Sequence, residues 1–428
     1  MEVARKKIVV LGAGFAGLTF CQDFTHPDAD VVLIDRQNHH LFQPLLYQVA
    51  TAGLSATDIA QPIRGILSDY PQVTVLMEDV RSIDLSARQV QLTGKAIGYD
   101  YLIMGLGGIT SYFGHPEWAT VAPGLKSLDD ALKIRRSILY AFERAEMSAS
   151  EEERKRLTTI VVVGGGPTGV ELSGAFAELA RTVLDKDFRH IDPAKARVVL
   201  IEASPRVLAH FPEDLSRNAR EQLERLGVEV HTGVKVLDLK PGLVETSIGP
   251  IPAENVIWAA GVGGSPLAKQ LGVELDRAGR VMVAPDCSVR GHPEVFALGD
   301  MAALTDAAGV VVPGVSPAAI QMAQHVAGMI RDEMNGVATP AERPPFVYWD
   351  KGSMATIGRS AAVAEMGNFH FTGFVAWVAW LGVHLLFLVG FRNKIAVLIQ
   401  WTYSYFTYKR GSRIITGLRL PPTPTKEA

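Results

Sequence analysis

The sequence predicts an α/β protein of two doubly wound domains, the second inserted into the first, followed by an apolar helical module. Three observations carry this. Two glycine turns of one design, Gly12-Ala-Gly-Phe-Ala-Gly17 and Gly164-Gly-Gly-Pro-Thr-Gly169, each follow an apolar run and open a helix-like stretch. Beyond each turn another apolar run ends in an acid, Val31–Asp35 in the first case and Val198–Glu202 in the second. Near the chain's end, Phe371–Phe391 contains no Asp, Glu, Lys or Arg. Short continuous apolar strands alternating with helical patterns indicate parallel sheets covered on both faces.

Ile8-Val9-Val10-Leu11 reads as the first buried strand. In the turn that follows, the first glycine permits the tight bend, the second brings the backbone close to a pyrophosphate, and the third lets helix pack on strand. The helix N-terminus presents free N–H groups and a positive dipole end to phosphate. Gly12 to Asp35 fits the usual ~20 residues to an acid that accepts ribose hydroxyls. Each unit is therefore Rossmann-like, and two in one chain point to two dinucleotides that exchange electrons. Arg5, Lys6 and Lys7 before this strand imitate a signal peptide, but the same residues begin the nucleotide site, so export is not expected.

Further strands are expected around Val73–Met77, Val80, Gln89–Leu92 and Tyr101–Met104, before the loop Gly105-Leu-Gly-Gly108. A Pro123-Gly124 turn and one charged helix over Asp129–Lys155 lead to Ile160–Val163 and the second turn. Its distance to Glu202 is longer, as an insertion over Asp185–Pro193 explains. An acid at this ribose position repels a 2′-phosphate and so favours NADH over NADPH. Val228–His231 and Val256–Gly261 continue the second unit, and Val295-Phe-Ala-Leu-Gly-Asp300 returns to the first. The expected parts are 1–115 and 266–345 for the first domain, 116–265 for the inserted one, and 346–428 for the C-terminal module.

Composition narrows the function. A chain of 428 residues needs more than one core. A net charge of −3 gives no sign of nucleic acid. Cys21 and Cys287 are the only cysteines, without C-x-x-C spacing, so no disulfide framework, iron–sulfur cluster or metal site is expected. The C-terminal module should form two apolar helices, over Phe371–Phe391 and Ile395–Tyr408. Trp377, Trp380 and Trp401, with Tyr403, Tyr405 and Tyr408, suit a membrane–water interface. Lys394, Lys409, Arg410 and Arg413 would face anionic head groups. Helices lying on one leaflet of a lipid bilayer are expected; a transmembrane hairpin and a buried core or homodimer interface are the alternatives.

Together these pieces resemble the two-dinucleotide-binding-domain flavoproteins, and among them the type II NADH:quinone oxidoreductases, the single-subunit, non-pumping NADH dehydrogenases. The resemblance spans nearly the whole chain. It is strongest in His40-Leu-Phe-Gln-Pro-Leu-Leu-Tyr47, Val163–Leu172, Phe296–Asp300, Ala319-Ile-Gln-Met-Ala-Gln324 and Lys351–Gly358. The run from His384 to Lys394 and Arg410-Gly-Ser-Arg413 also fit. It implies non-covalent FAD on Gly12, Gly14 and Gly17, with Asp35 and Arg36 at its adenosine ribose, Val80 by the adenine and Asp300 at the ribitol–pyrophosphate. NADH, the substrate, would sit on Gly164, Gly166 and Gly169, with Glu202 at its ribose and Gly261 beside it. Where the family often writes Ala-Thr-Gly, this chain has Gly105-Leu-Gly107, so Gly107 is expected to meet FAD through its backbone.

The activity implied is hydride transfer from NADH to FAD, then two electrons to a membrane quinone, on the cytoplasmic face of the cell membrane. Gln321 and Gln324, three apart on one helix face, could donate to a quinone carbonyl, with Ala319 beside them. Glu171 is placed by the resemblance near the flavin ring as a proton relay; a carboxylate favoured by the helix dipole is its bland reading. Lys351, in a flavin-side loop, is a further catalytic candidate. His39, His40 and His384 are read as packing or interface residues. Rival functions are a disulfide-reductase-like enzyme or a sulfide:quinone reductase, both of which need cysteines this chain lacks, and a non-enzymatic NADH-sensing membrane flavoprotein.

Overall fold

The computed structural model describes residues 5–407 and 411–417; Tyr408, Lys409, Arg410 and the tail Pro421–Ala428 lie outside them. The chain forms two compact units. One comprises Met1–Leu41, Ala60–Ser111 and Gly261–Lys351, the other Phe42–Ile59, Tyr112–Ala260 and Gly352–Ala428.

In the first unit the strand Lys6–Leu11 lies inside a six-stranded sheet. Its neighbours are Ala29–Asp35 on one side and Tyr101–Met104 on the other, both parallel to it, with Ile8 opposite Val31 and Tyr101. Val73–Met77 extends one edge; His292–Ala297 and the short antiparallel Ser288–Val289 extend the other. Ile8, Val9, Val10 and Leu11 are wholly buried, as a strand covered on both faces requires. The order of neighbours reverses at this strand, so the crevice at its carboxyl end, where Gly12 emerges, is the place such sheets bind ligands. Helix Phe15–Asp23 packs with helix Ser316–Met334. The latter buries Ala319, Met322, Ala323, Val326 and Ile330, one helical stripe. Val80 forms no strand: pairing ends at Met77 and resumes at Ser82, leaving Val80 half-buried in the connection.

The second unit holds a four-stranded parallel sheet, in the order Val228–Thr232, Arg197–Glu202, Thr159–Val163 and Asn255–Trp258. Helix Pro167–Glu178 follows the second turn with proline at its start, where no N–H is needed. The expected single helix over Asp129–Lys155 is two, Leu128–Met147 and Glu151–Leu157. Serines cause the break. Ser148 turns extended, and Ser150 accepts the Glu153 N–H at 3.2 Å as a new N-cap.

From Gly352 onward the C-terminal residues group with the second unit. Strands Ser353–Gly358, Ala361–Met366 and Phe369–Thr372 form an antiparallel sheet in the same unit as the second turn. Its first strand packs so tightly on helix Pro167–Glu178 that a Cβ on Gly174 would lie 1.6 Å from the Ile357 oxygen. Segment Phe42–Ile59 joins this unit too, not the first domain, because helix Phe391–Thr407 grips it. Trp401 Nε1 donates to Gln48 Oε1 at 2.8 Å, and Asn393 Nδ2 donates to the Thr57 carbonyl at 3.2 Å.

The first apolar helix is Gly373–Phe387, shorter than expected, because Phe369–Thr372 pairs as a strand and the chain breaks before Gly390, at φ +85°. It buries Ala376 and Trp380, and the second buries Asn393 and Val397. Phe374, Leu386, Phe391, Ile399 and Phe406 are exposed. No helix among the described residues is long and apolar enough to cross a membrane.

Candidate active site

Both glycine turns are held by one device. In the first unit the Asp35 carboxylate accepts the Ala13 N–H at 2.6 Å and the Gln37 N–H at 2.7 Å. In the second, Glu202 accepts the Gly165 N–H at 2.5 Å and the Ser204 N–H at 2.6 Å. Each acid thus fixes the residue after the first glycine and its own following loop. Gly12 and Gly164 adopt φ +89° and +109°, conformations that side chains disfavour. A Cβ on Gly17 would fall 1.9 Å from the Gly12 oxygen, and one on Gly169 1.8 Å from the Gly164 oxygen. Gly14 and Gly166 are the N-caps and offer no side-chain cap, so the first-turn N–H groups remain for phosphate.

The loop Gly105-Leu-Gly107 fits this arrangement. A Cβ at Gly105 would lie 3.2 Å from the Gly17 nitrogen, and Gly12 leaves no room beyond the Gly105 carbonyl. Gly107, at φ +67°, has open space around it. Asp300 stands on the 3₁₀ turn Gly299–Met301, beside Gly108 and Gly314, with no hydrogen-bond partner among the described residues. An unpaired carboxylate beside two glycines suits the hydroxyl-rich middle of FAD. Arg36 is exposed next to Asp35. Gly261, at φ +77°, accepts the Ser111 N–H at 3.3 Å.

His40 was not distinguishable from His39 by sequence. It is 2% exposed, and its Nδ1–H donates to the Ala13 carbonyl of the first turn at 2.8 Å, while Nε2 has no partner. Burial pushes its pKa below the ordinary range, so it stays neutral.

In the second unit Glu171 sits one turn into the helix that leaves Gly169. Its carboxyl is half-buried, and desolvation pushes its pKa up to about 8. The backbone N–H of Thr356 and the indole N–H of Trp380 face it and oppose that rise. The Trp380 N–H is buried and closes no well-formed hydrogen bond. Trp380 stacks on His384 at 4.0 Å and meets Tyr47 edge-on at 6.3 Å. His384 Nδ1–H donates to the Trp380 carbonyl at 2.8 Å, and burial pushes its pKa down to about 4. The cluster therefore joins one carboxyl, neutral at pH 7, to neutral aromatic groups carried by the C-terminal helices. Spacing alone did not pick out Trp380.

Gln321 and Lys351 belong to the first unit. The Gln321 amide is committed: its Nε2 donates to the Trp349 carbonyl, and its Oε1 accepts the Trp349 N–H, both at 3.0 Å. Lys351 Nζ lies 5.2 Å over the Trp349 ring. Gln321 thus positions the segment that carries Lys351 and keeps one amide N–H for another acceptor. Gln324 is exposed. Ala319 is buried: its methyl fills the space under Gly299, where a Cβ would lie 3.0 Å away, so it shapes the Asp300 turn. Cys21 and Cys287 are both buried and unpaired, with thiols pushed upward by burial, and form no redox pair. No group of His, Cys, Asp and Glu that could hold a metal ion occurs among the described residues.

Two acid-held glycine turns on parallel sheets define a flavoprotein of the two-dinucleotide class. The family described as "Pyridine nucleotide-disulphide oxidoreductase" matches residues 6–327, and the "NDH2 C-terminal domain" matches residues 350–409. The type II NADH:quinone oxidoreductase Ndh of Mycobacterium tuberculosis is 47% identical over 425 residues, 96% of this chain and 90% of that protein. That of Staphylococcus haemolyticus is 30% identical, over 87% of this chain and 92% of its own length. In fold, the chain is similar to NDH2 from Plasmodium falciparum in complex with NADH, at TM-score 0.87 and 20% identity, covering 96% of this chain and all of that one. The chain belongs to the type II NADH:quinone oxidoreductases.

Proposed function

We infer that this chain oxidises NADH and passes the two electrons through FAD to a quinone. The single observation that carries this reading is the pair of acid-held glycine turns in a chain with no redox cysteine pair. Bound FAD supplies the hydride acceptance and the onward transfer to quinone. The protein binds each dinucleotide at a helix N-terminus, and Glu202, whose negative charge opposes a 2′-phosphate, selects NADH.

At the quinone end, Glu171 holds a proton near neutral pH. We assign it the donation of that proton to a reduced quinone oxygen, because a general acid with a pKa near the working pH serves best. Its carboxyl is flanked by Trp380, on a helix whose other side chains are largely exposed and apolar. That surface is suited to the interface of a lipid bilayer, from which a quinone would arrive. Attachment to the cytoplasmic face and turnover without proton pumping complete the proposal. Gln321 acts by holding Trp349 and so placing Lys351.

The test is anaerobic. NADH should bleach the flavin of the purified holoenzyme, and ubiquinone or menaquinone should restore its colour in stopped flow. A protein purified without flavin, or a reduced flavin that neither quinone reoxidises, overturns the reading.

A further inference from the structure

Arg135 lies on helix Leu128–Met147, half-buried, and makes no hydrogen bond or ion pair among the described residues. Desolvation alone acts on it, and weakens its hold on its proton. Its neighbours on the same helix differ: Arg136 donates to the Thr416 carbonyl at 3.3 Å, and Arg144 pairs with Glu254. A half-buried guanidinium without a partner among the described residues has N–H donors to offer a ligand.

Arg135 borders a cavity of about 490 Å³. The other walls carry Ser55, Ser412, Gln400, Ser404 and Tyr403, all neutral hydrogen-bonding side chains, and no carboxylate among the described residues lines it. The Ser55 and Ser412 hydroxyls stand 3.2 Å apart. Asp58, the nearest acid in sequence, is turned to capping, where it accepts the Ser55 N–H at 2.7 Å. A planar cation among hydroxyls and an amide, without a competing acid, is the donor set for a phosphate oxyanion.

We propose that this cavity binds a phosphate group, with Arg135 gripping two of its oxygens and the serine hydroxyls donating to the others. Its place in the fold favours a phospholipid as the source. Tyr403, Gln400 and Ser404 come from helix Phe391–Thr407, whose exposed side chains include Phe391, Ile395, Leu398, Ile399 and Phe406. A head group in the cavity would leave its acyl chains along that apolar row.

The proposal is separable from the catalytic reading, since none of these residues contacts either glycine turn or Glu171. The test uses the full-length holoenzyme and its Arg135→Gln, Arg135→Lys and Lys133→Gln variants. Lys133 is an exposed cation on the same helix and controls for general attraction to a charged surface. Sedimentation with vesicles of phosphatidylcholine containing phosphatidylglycerol measures the lipid arm. Melting temperature in inorganic phosphate against equal ionic strength of chloride measures the soluble arm. NADH–ferricyanide activity should be unchanged in all variants, reporting an intact fold.

Loss of one surface cation should lower vesicle affinity by at most about fivefold, and Lys133→Gln should stay within that limit. Arg135→Gln should exceed tenfold, and Arg135→Lys should resemble it because an ammonium cannot make the two-pronged contact. A rise in melting temperature with phosphate that Arg135→Gln abolishes, without a vesicle effect beyond that of Lys133→Gln, identifies a soluble phosphate as the ligand. Equal vesicle losses in the two neutralised variants together with no phosphate-dependent melting shift overturn the site.

Discussion

Replacing Trp380 by Phe removes one N–H from beside the Glu171 carboxyl and little else. The phenyl ring keeps the stack on His384, now 4.0 Å, and most of the buried apolar area. The lost N–H favours the anion, so its removal must raise the Glu171 pKa further above about 8. A hydrogen bond to a charged acceptor contributes about 1.5–3 kcal/mol. The Trp380 N–H closes no well-formed bond, so the low end is an upper bound, and about 1.4 kcal/mol corresponds to one pKa unit. The apparent pKa should therefore rise from about 8 by up to about one unit.

The assay is the pH dependence of kcat with a soluble quinone, from pH 6 to 10. If the protonated carboxyl donates to the reduced quinone, kcat falls as pH rises through the Glu171 pKa. That alkaline limb should shift upward by up to about one unit in Trp380→Phe. Ferricyanide takes electrons without protons, so the same limb should be absent from ferricyanide turnover in both proteins. Glu171→Gln, which has no proton to lose, should lower quinone turnover and abolish the limb. A quinone limb that stays put in Trp380→Phe, or one that survives in Glu171→Gln, refutes the assignment of Glu171 as the acid.

Three further outcomes follow from the geometry. Gly169→Ala places a methyl 1.8 Å from the Gly164 oxygen, so the second turn must open; KM for NADH should rise more than tenfold while bound flavin is retained, and unchanged NADH kinetics would place the nucleotide elsewhere. Glu202→Ala frees the Gly165 and Ser204 N–H groups and removes the charge that opposes a 2′-phosphate; the ratio of kcat/KM for NADH over NADPH should fall, and a constant ratio means another residue reads the ribose. Phe391→Ser and Phe406→Ser remove rings that are 79% and 75% exposed. Each should weaken vesicle binding by roughly tenfold or more, at about 1.5–3 kcal/mol per buried aromatic, without loss of ferricyanide activity; retained affinity would mean that this face does not enter the lipid.

Periodicity and turn chemistry made the two sheets legible because they act locally. Ile8–Leu11 and Ile160–Val163 could be read as doubly buried strands from their composition, and the glycines from the steric demand that Gly17 and Gly169 meet. Contacts between distant segments were not legible. Nothing in Gln48 or Thr57 announces Trp401 and Asn393 as partners, so the grouping of residues 42–59 with the second unit is not legible. Gly174 gives no hint of the Ile357 carbonyl pressed against it, so the packing of the C-terminal strands on that helix is not legible either. Val80 was read as a strand from a single β-branched residue, too little to sustain pairing.

The site residues divide along the same line. The place of Asp35 and Glu202 beside the turns is legible because strand register fixes an acid at the end of the neighbouring strand, wherever the rest of the chain goes. Their observed bonds add something the motif does not state: each carboxylate spends one oxygen on the turn and the other on its own loop. A ribose bound there would share an acceptor that already shapes the backbone, and a substitution would disturb phosphate and ribose binding together. Glu171 and Gln321 depend instead on what folds back against them. Trp380 and Thr356 tune the first, and Trp349 occupies the second. A dinucleotide site can be written within one βαβ unit, whereas the proposed proton-handling end needs a carboxyl from a helix and an indole some two hundred residues away. Its chemistry becomes visible only once the C-terminal strands have docked.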